Sequence, residues 1–218
     1  MAAGYMQLVC LDRLERIYQK HRKLVLSCIV PTITRKNNNM KIIGLTGLAR
    51  SGKDSIAKYL WAQHDYIRIA FADPLKMAAQ HIFGLTDEQT WSDDLKAVVI
   101  DYWGMSPRQM FQKLGTEAIK GTFGANTWAK RWELSYGPFA LTDDVVVPDV
   151  RTDVEAALLR YYGGVIIEVS RKSAGLSGDE GSHSSESGLS TFAEFEITND
   201  GTMQDLHEAV DAILGKLG

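Results

Sequence analysis

Residues 40–218 predict an α/β fold, a parallel sheet with helices on both faces, organised around one phosphate-binding turn. Three observations carry this. The stretch Lys41-Ile42-Ile43-Gly44-Leu45-Thr46 is an apolar run suited to a buried strand, and it passes through Gly47-Leu48-Ala49-Arg50-Ser51-Gly52-Lys53 into a helix start at Asp54-Ser55. That order of strand, Gly-rich turn and helix is what a P-loop requires. Further on, the short valine- and isoleucine-rich runs 145–147 and 165–169 alternate with segments of helical period. Strands that alternate with helices imply a parallel sheet covered on both sides.

Each element follows from local signals. After the P-loop helix, Tyr66–Ala70 reads as a second short strand, and Asp73-Pro74 opens a helix that continues through Ala79 to Phe83. Residues 86–101 are weakly helical and charged. Ser106-Pro107 starts a clearer helix, with Ser at the cap and Pro at the first position, followed by Met110, Leu114 and Ile119. The segment 125–136 is Trp-rich and basic. Val145-Val146-Val147-Pro148-Asp149 is a strand ending in a carboxylate; Asp153–Tyr162 is helical and Gly163-Gly164 ends it. Val165–Val169 is a strand. Residues 171–190 form a Gly- and Ser-rich loop of a length that compact domains rarely keep without use. Phe192–Ile197 is a last strand and Met203–Leu217 a last amphipathic helix.

Composition narrows the function classes. The chain has 218 residues, is 45% hydrophobic and carries a net charge of −3. Residues 1–39 hold seven Lys/Arg and two Asp/Glu, so residues 40–218 hold 17 and 25, a net of −8. This balance argues against a nucleic-acid-coating surface, and no apolar run reaches membrane-spanning length. Both cysteines, Cys10 and Cys28, fall in the first 39 residues. A reducing cytoplasm therefore suits the chain, and neither a disulfide framework nor a thiolate metal site is available to residues 40–218. Residues 1–39 differ in charge and are separated by Asn37-Asn38-Asn39; they read as an N-terminal extension outside the core fold, either a docking helix or an appended segment.

The chemistry concentrates at the turn. Gly47 and Gly52 allow a tight backbone whose N–H groups face one concavity, with Arg50 and Ser51 between them. The helix start adds partial positive charge, and Lys53 reaches the outer phosphates of a nucleoside triphosphate. Asp54 stands where a Ser or Thr usually ligates Mg²⁺, and Ser55 supplies a hydroxyl one residue later, so both are metal candidates. Asp149, at the ligand-bearing edge of the sheet, is a third candidate for the metal or its waters, or else a helix cap. Lys76, Arg108, Arg131 and Arg151 form a set that can supply a second anion site. Arg171 and Lys172 stand at the root of a flap able to close over phosphates and exclude water. The five histidines show no metal-ligand spacing and no nucleophile elbow is present.

Several stretches together resemble the deoxynucleoside monophosphate kinases of tailed bacteriophages. They are GLARSGKDS at 47–55, FADPLK at 71–76, SPRQMFQKLGTE at 106–117, VPDVRTDVEA at 147–156 and GGVIIEV at 163–169, then SSESGL at 184–189 and NDGT at 199–202. The resemblance covers residues 40–218. It implies a P-loop nucleoside monophosphate kinase-like fold with a helical acceptor-binding insert at about 71–140 and a lid at about 171–190. It further implies transfer of the γ-phosphoryl group of ATP to a deoxynucleoside 5′-monophosphate with Mg²⁺, in the host cytoplasm for a phage protein, in a family whose members are often homodimers. By position, Lys53, Asp54 and Ser55 serve ATP and Mg²⁺, Phe71, Lys76, Arg108 and Gln109 face the acceptor, and Arg151 and Arg171 meet the phosphates in transit. The segment GTFGANTW at 121–128 is only loosely similar, so base preference stays open. Two other classes remain: a P-loop kinase for another phosphorylated acceptor, of dephospho-coenzyme A or phosphomevalonate type, and a non-catalytic nucleotide-binding module. The attacking phosphate oxygen is ionised at neutral pH, so this chemistry asks for cations and alignment rather than a general base.

Overall fold

A computed structural model describes residues 41–137, 143–174, 189 and 193–218. The predicted leader helix and most of the predicted lid lie outside the described residues. Asn39–Gly218 forms one compact unit.

Five strands make one parallel sheet: β1 Ile42–Thr46, β2 Ile67–Arg68, β3 Val145–Val147, β4 Val165–Ser170 and β5 Phe195–Thr198, in the order β2-β3-β1-β4-β5. β1 is central because its sequence can be buried on both faces. Ile43 and Leu45 join one core, with Ile56 and Leu60 of helix α1 (Lys53–His64) and Leu206, Val210 and Ile213 of the last helix. Ile42, one residue out of step, joins the other core with Trp132, Val147 and Leu159. Successive strand side chains point to opposite faces, so one apolar run feeds two helical layers.

Gly44 shows how closely the second layer approaches. A Cβ there would lie 2.7 Å from both Ile166 Cδ1 and Leu159 Cδ1 and 3.0 Å from Val150 Cγ2. Gly44→Ala therefore overpacks a site with three apolar walls, and we expect a loss of about 1–3 kcal/mol in chemical denaturation. An unchanged midpoint would mean that these side chains repack freely.

Further helices among the described residues are α2 Asp73–Phe83, α3 Asp87–Trp91, α4 Pro107–Gln112, α5 Thr127–Tyr136, α6 Asp153–Tyr161 and α7 Met203–Leu217, with a single helical turn at Gly121–Phe123. Four of them begin with reciprocal caps, in which Thr86, Ser106, Thr152 and Thr202 pair with Gln89, Gln109, Glu155 and Asp205. Each pairing satisfies two otherwise orphaned N–H groups. Two expectations need correction. The weakly helical stretch 86–101 resolves into α3 and one tight turn at Leu95–Ala97; Thr86 gives α3 a reciprocal cap, whereas Asp94 makes no side-chain cap for the turn. The helix begun at Ser106 changes winding after Gln112 into a π-helix over Lys113–Lys120. No helix among the described residues is long and apolar enough to cross a membrane.

Candidate functional site

The C-terminal ends of β1, β3 and β4 open onto one cavity of about 390 Å³. The loop between β1 and α1 forms one end of it. Gly47 (φ 129°) and Gly52 (φ 112°) are left-handed, and so is Arg50 (φ 65°), a conformation that costs a non-glycine residue about 1–2 kcal/mol. The loop is also seated tightly: a Cβ on Gly47 would lie 2.2 Å from the Val169 carbonyl oxygen of β4. Lys53 Nζ donates to the carbonyls of Gly47 (2.8 Å) and Leu48 (2.7 Å). The ammonium thus stands over the mouth of its own loop, where an entering phosphate oxygen would compete with those carbonyls. Asp54 is exposed and Ser55 half-buried at the first turn of α1, and both line the cavity.

The opposite wall comes from α2, α4 and the π-helix. Phe71, buried, packs its ring on Trp132 with centroids 5.6 Å apart. Lys76 Nζ lies 4.9 Å from the centre of the Trp91 ring, a cation–π arrangement. Burial is the main cause that pulls the Lys76 pKa below the ordinary lysine value, against the favourable charges of Asp149 and Asp73 and together with the repulsion of Lys96 and Arg68. Arg108 lines the same wall. So do Lys96 and Lys120, two cations that no local pattern singles out; Lys96 comes from the turn after α3, where it pairs with Asp93, and Lys120 from the end of the π-helix. Gly115 lets this helix press on α2, since a Cβ there would lie 2.5 Å from Leu75 Cδ2, and its carbonyl accepts from Trp128 Nε1 at 3.2 Å.

The third side is the turn after β3. Asp149 sends its two oxygens to the backbone N–H groups of Phe71 and Ala72, each at 2.8 Å. It clamps the entry to α2 and does not cap α6, for the cap of that helix is Thr152. Glu155 is buried and accepts the N–H groups of Arg151 (2.8 Å) and Thr152 (3.0 Å). Burial pushes its carboxyl up, opposed by those bonds and by the Lys120 charge. The backbone of Arg151 is held in this way while its side chain, exposed, lines the cavity with Arg171 from the end of β4.

Two expected acceptor residues fall elsewhere. Gln109 Oε1 accepts the Ser106 N–H at 2.9 Å as half of a cap, and Gln112, one turn on, reaches the cavity instead. Arg131 is exposed and is not among the lining residues. α5 buries Ala129 and Trp132, and the residue just before Trp132 is turned about 100° away from that contact. Among the described residues no cluster of three or more His, Cys, Asp or Glu could hold a metal ion alone.

A model of the deoxynucleotide monophosphate kinase family matches residues 87–210 of the chain. The chain belongs to the deoxynucleotide monophosphate kinase family. A protein of Acanthamoeba polyphaga mimivirus named for the same activity is 31% identical over 185 residues, covering 78% of this chain and 94% of that one. The deoxynucleotide monophosphate kinase of Escherichia phage RB69 is 32% identical over 119 residues, 52% of this chain and 46% of its own length. Among solved structures, TT1252 from Thermus thermophilus is similar with a TM-score of 0.47 and 18% identity, covering 83% of this chain and all (100%) of that one. Membership makes the chain a nucleotide kinase that acts on deoxynucleoside monophosphates. The two-ended cavity suits that reaction class, because a kinase joining two phosphorylated compounds needs cations on both sides of one space.

Proposed function

We propose that the chain transfers the γ-phosphoryl group of ATP to a deoxynucleoside 5′-monophosphate, giving ADP and the deoxynucleoside diphosphate. In this reading the triphosphate lies in the 47–55 loop and the acceptor against Phe71, Lys76 and Arg108. The observation that carries it is the charge layout of the 390 Å³ cavity, with the P-loop and Lys53 at one end and Lys76, Lys96, Arg108 and Lys120 at the other. The proposal uses residues 40–218, with about 71–140 as the acceptor side and about 171–190 as the lid.

Lys53 holds the outer phosphates of the donor, and Arg151 and Arg171 hold the group in transit. Each guanidinium presents a planar fork to phosphate oxygens. Mg²⁺ would be held by Asp54 and Ser55 together with the donor's phosphates, and it would supply neutralising charge between them. Few protein ligands are expected for this ion, which agrees with one carboxylate and one hydroxyl at the start of α1. Asp149 acts through the backbone it clamps, fixing Phe71 and Ala72 and so the direction of α2 and Lys76. The acceptor phosphate needs no general base, being already ionised; Lys76 and Arg108 align it.

The test is turnover with ATP and each of the four deoxynucleoside monophosphates, followed across pH. Formation of a diphosphate product from at least one of them is expected; none from any would overturn the reading. Lys76 adds a pH signature. Its ammonium loses the proton at a lower pH than an ordinary lysine near 10.5. The acceptor KM is therefore expected to rise early on the alkaline side. Lys76→Arg is expected to remove that rise, since a guanidinium stays charged throughout the range.

A further inference from the structure

The turn between β5 and α7 touches both sides of the phosphate-binding end of the cavity. Asn199 is 7% exposed, and its Nδ2 donates to the Ser51 carbonyl of the P-loop at 2.8 Å. The amide is packed hard against that loop, for a Cβ on Gly52 would lie 2.3 Å from the same nitrogen. The Asn199 N–H donates to the Ser170 carbonyl at the end of β4, also at 2.8 Å. The next residue reaches the other way. Asp200 Oδ1 accepts the Lys172 N–H at 2.9 Å, and Oδ2 lies 3.3 Å from Lys172 Nζ. Lys172 directly follows Arg171, so the segment that carries this arginine is tied down one residue away.

The turn itself is stiff. Thr202 N donates to Asp205 Oδ2 at 2.7 Å in the cap of α7, and a Cβ on Gly201 would lie 2.5 Å from that same oxygen. α7 is in turn fixed in the core through Leu206, Val210 and Ile213. Asparagine is seldom buried this far unless its amide is paired. Here the pairing goes to the loop that holds phosphates, and the adjacent carboxylate goes to the root of a phosphate-facing arginine.

We infer that Asn199 and Asp200 are positioning residues for phosphoryl transfer, one rigid turn setting the P-loop and the Arg171 segment in register with each other. Neither touches the reacting atoms. Asn199 acts through Ser51 and Gly52, Asp200 through Lys172 on Arg171. The inference rests on the reading of the cavity as an ATP-dependent kinase site. Alignment is worth much in such a reaction, where a misplacement of about 1 Å costs up to about 100-fold in rate.

Two variants test it in the full chain, by steady-state kinetics with ATP and an accepted deoxynucleoside monophosphate. Asn199→Ala is expected to raise the KM for ATP and lower kcat, by about 10- to 100-fold in kcat/KM together, with the acceptor KM unchanged. Asp200→Ala removes a partly exposed side chain that lies outside the core, so it keeps the proposal testable should the first variant fail to fold. It is expected to lower kcat about tenfold with an unchanged KM for ATP, and to cause no further loss in an Arg171→Ala background, because it acts through Arg171. A purely structural role would lower the melting temperature and cost the same factor in both backgrounds, which overturns the inference. So does normal turnover in both variants. An inactive wild type would instead overturn the kinase reading; ATP titration then decides the inference separately, weaker binding in Asn199→Ala supporting it and unchanged binding sinking it.

Discussion

Lys53→Ala is expected to lower turnover by about 10²- to 10³-fold while moving thermal unfolding little. The size follows from where the charge stands. Removing one donor aimed at developing charge in a water-poor site typically costs this much, and the Lys53 ammonium is held over the loop by two carbonyls 2.8 and 2.7 Å away. The stability cost is small because Gly47 and Leu48 can turn those carbonyls to water at the cavity mouth; it is expected to stay near 1 kcal/mol. Steady-state kinetics beside a thermal melt of the same protein checks both halves. A variant with near-normal turnover would remove the P-loop from the reaction. A variant that fails to fold would show that the two carbonyl bonds hold the loop together.

Arg151→Ala is expected to lower kcat by about 10²-fold or more and to leave ATP affinity within about threefold, as for a contact that strengthens in the transition state. The geometry favours this split. The Arg151 backbone is pinned by Glu155 at 2.8 Å, so the turn is held independently of the side chain that lines the cavity. Arg151→Lys keeps the charge and loses the planar fork, and should fall between wild type and Arg151→Ala. Turnover with saturating deoxynucleoside monophosphate, plus direct ATP titration of each variant, separates the two effects. If Arg151→Ala turns over normally, the group in transit is held by Arg171 alone.

The sheet, the P-loop and most of the helix starts are legible in the sequence, because their signals are local. A buried strand announces itself as a short apolar run, and Ser106-Pro107 marks its helix by chemistry within four residues. The second wall of the cavity was legible only in part. Lys76 and Arg108 stood out as cations after a strand and at a helix start, whereas Lys96 and Lys120 carried no mark at all. They come to the cavity through a tight turn and a π-helix, and both depend on packing, as where Gly115 admits Leu75. Gln109 misled because a residue three positions after a cap serves the cap first. Arg131 misled because basic residues near a buried tryptophan look like part of a site until the helix rotation is known.

By itself the sequence determined the phosphate-binding turn, the parallel α/β architecture and the family, since each rests on residues close together in the chain or on a matching order of motifs. Only the tertiary structure decided which cations share one cavity, that Asp149 spends its oxygens on the backbone of Phe71 and Ala72, and that Asn199 reaches the P-loop across 148 residues of chain. The reason is physical: a strand or a cap is specified by neighbours in sequence, but a hydrogen bond between distant segments exists only once the core has fixed their separation to within a few tenths of an ångström.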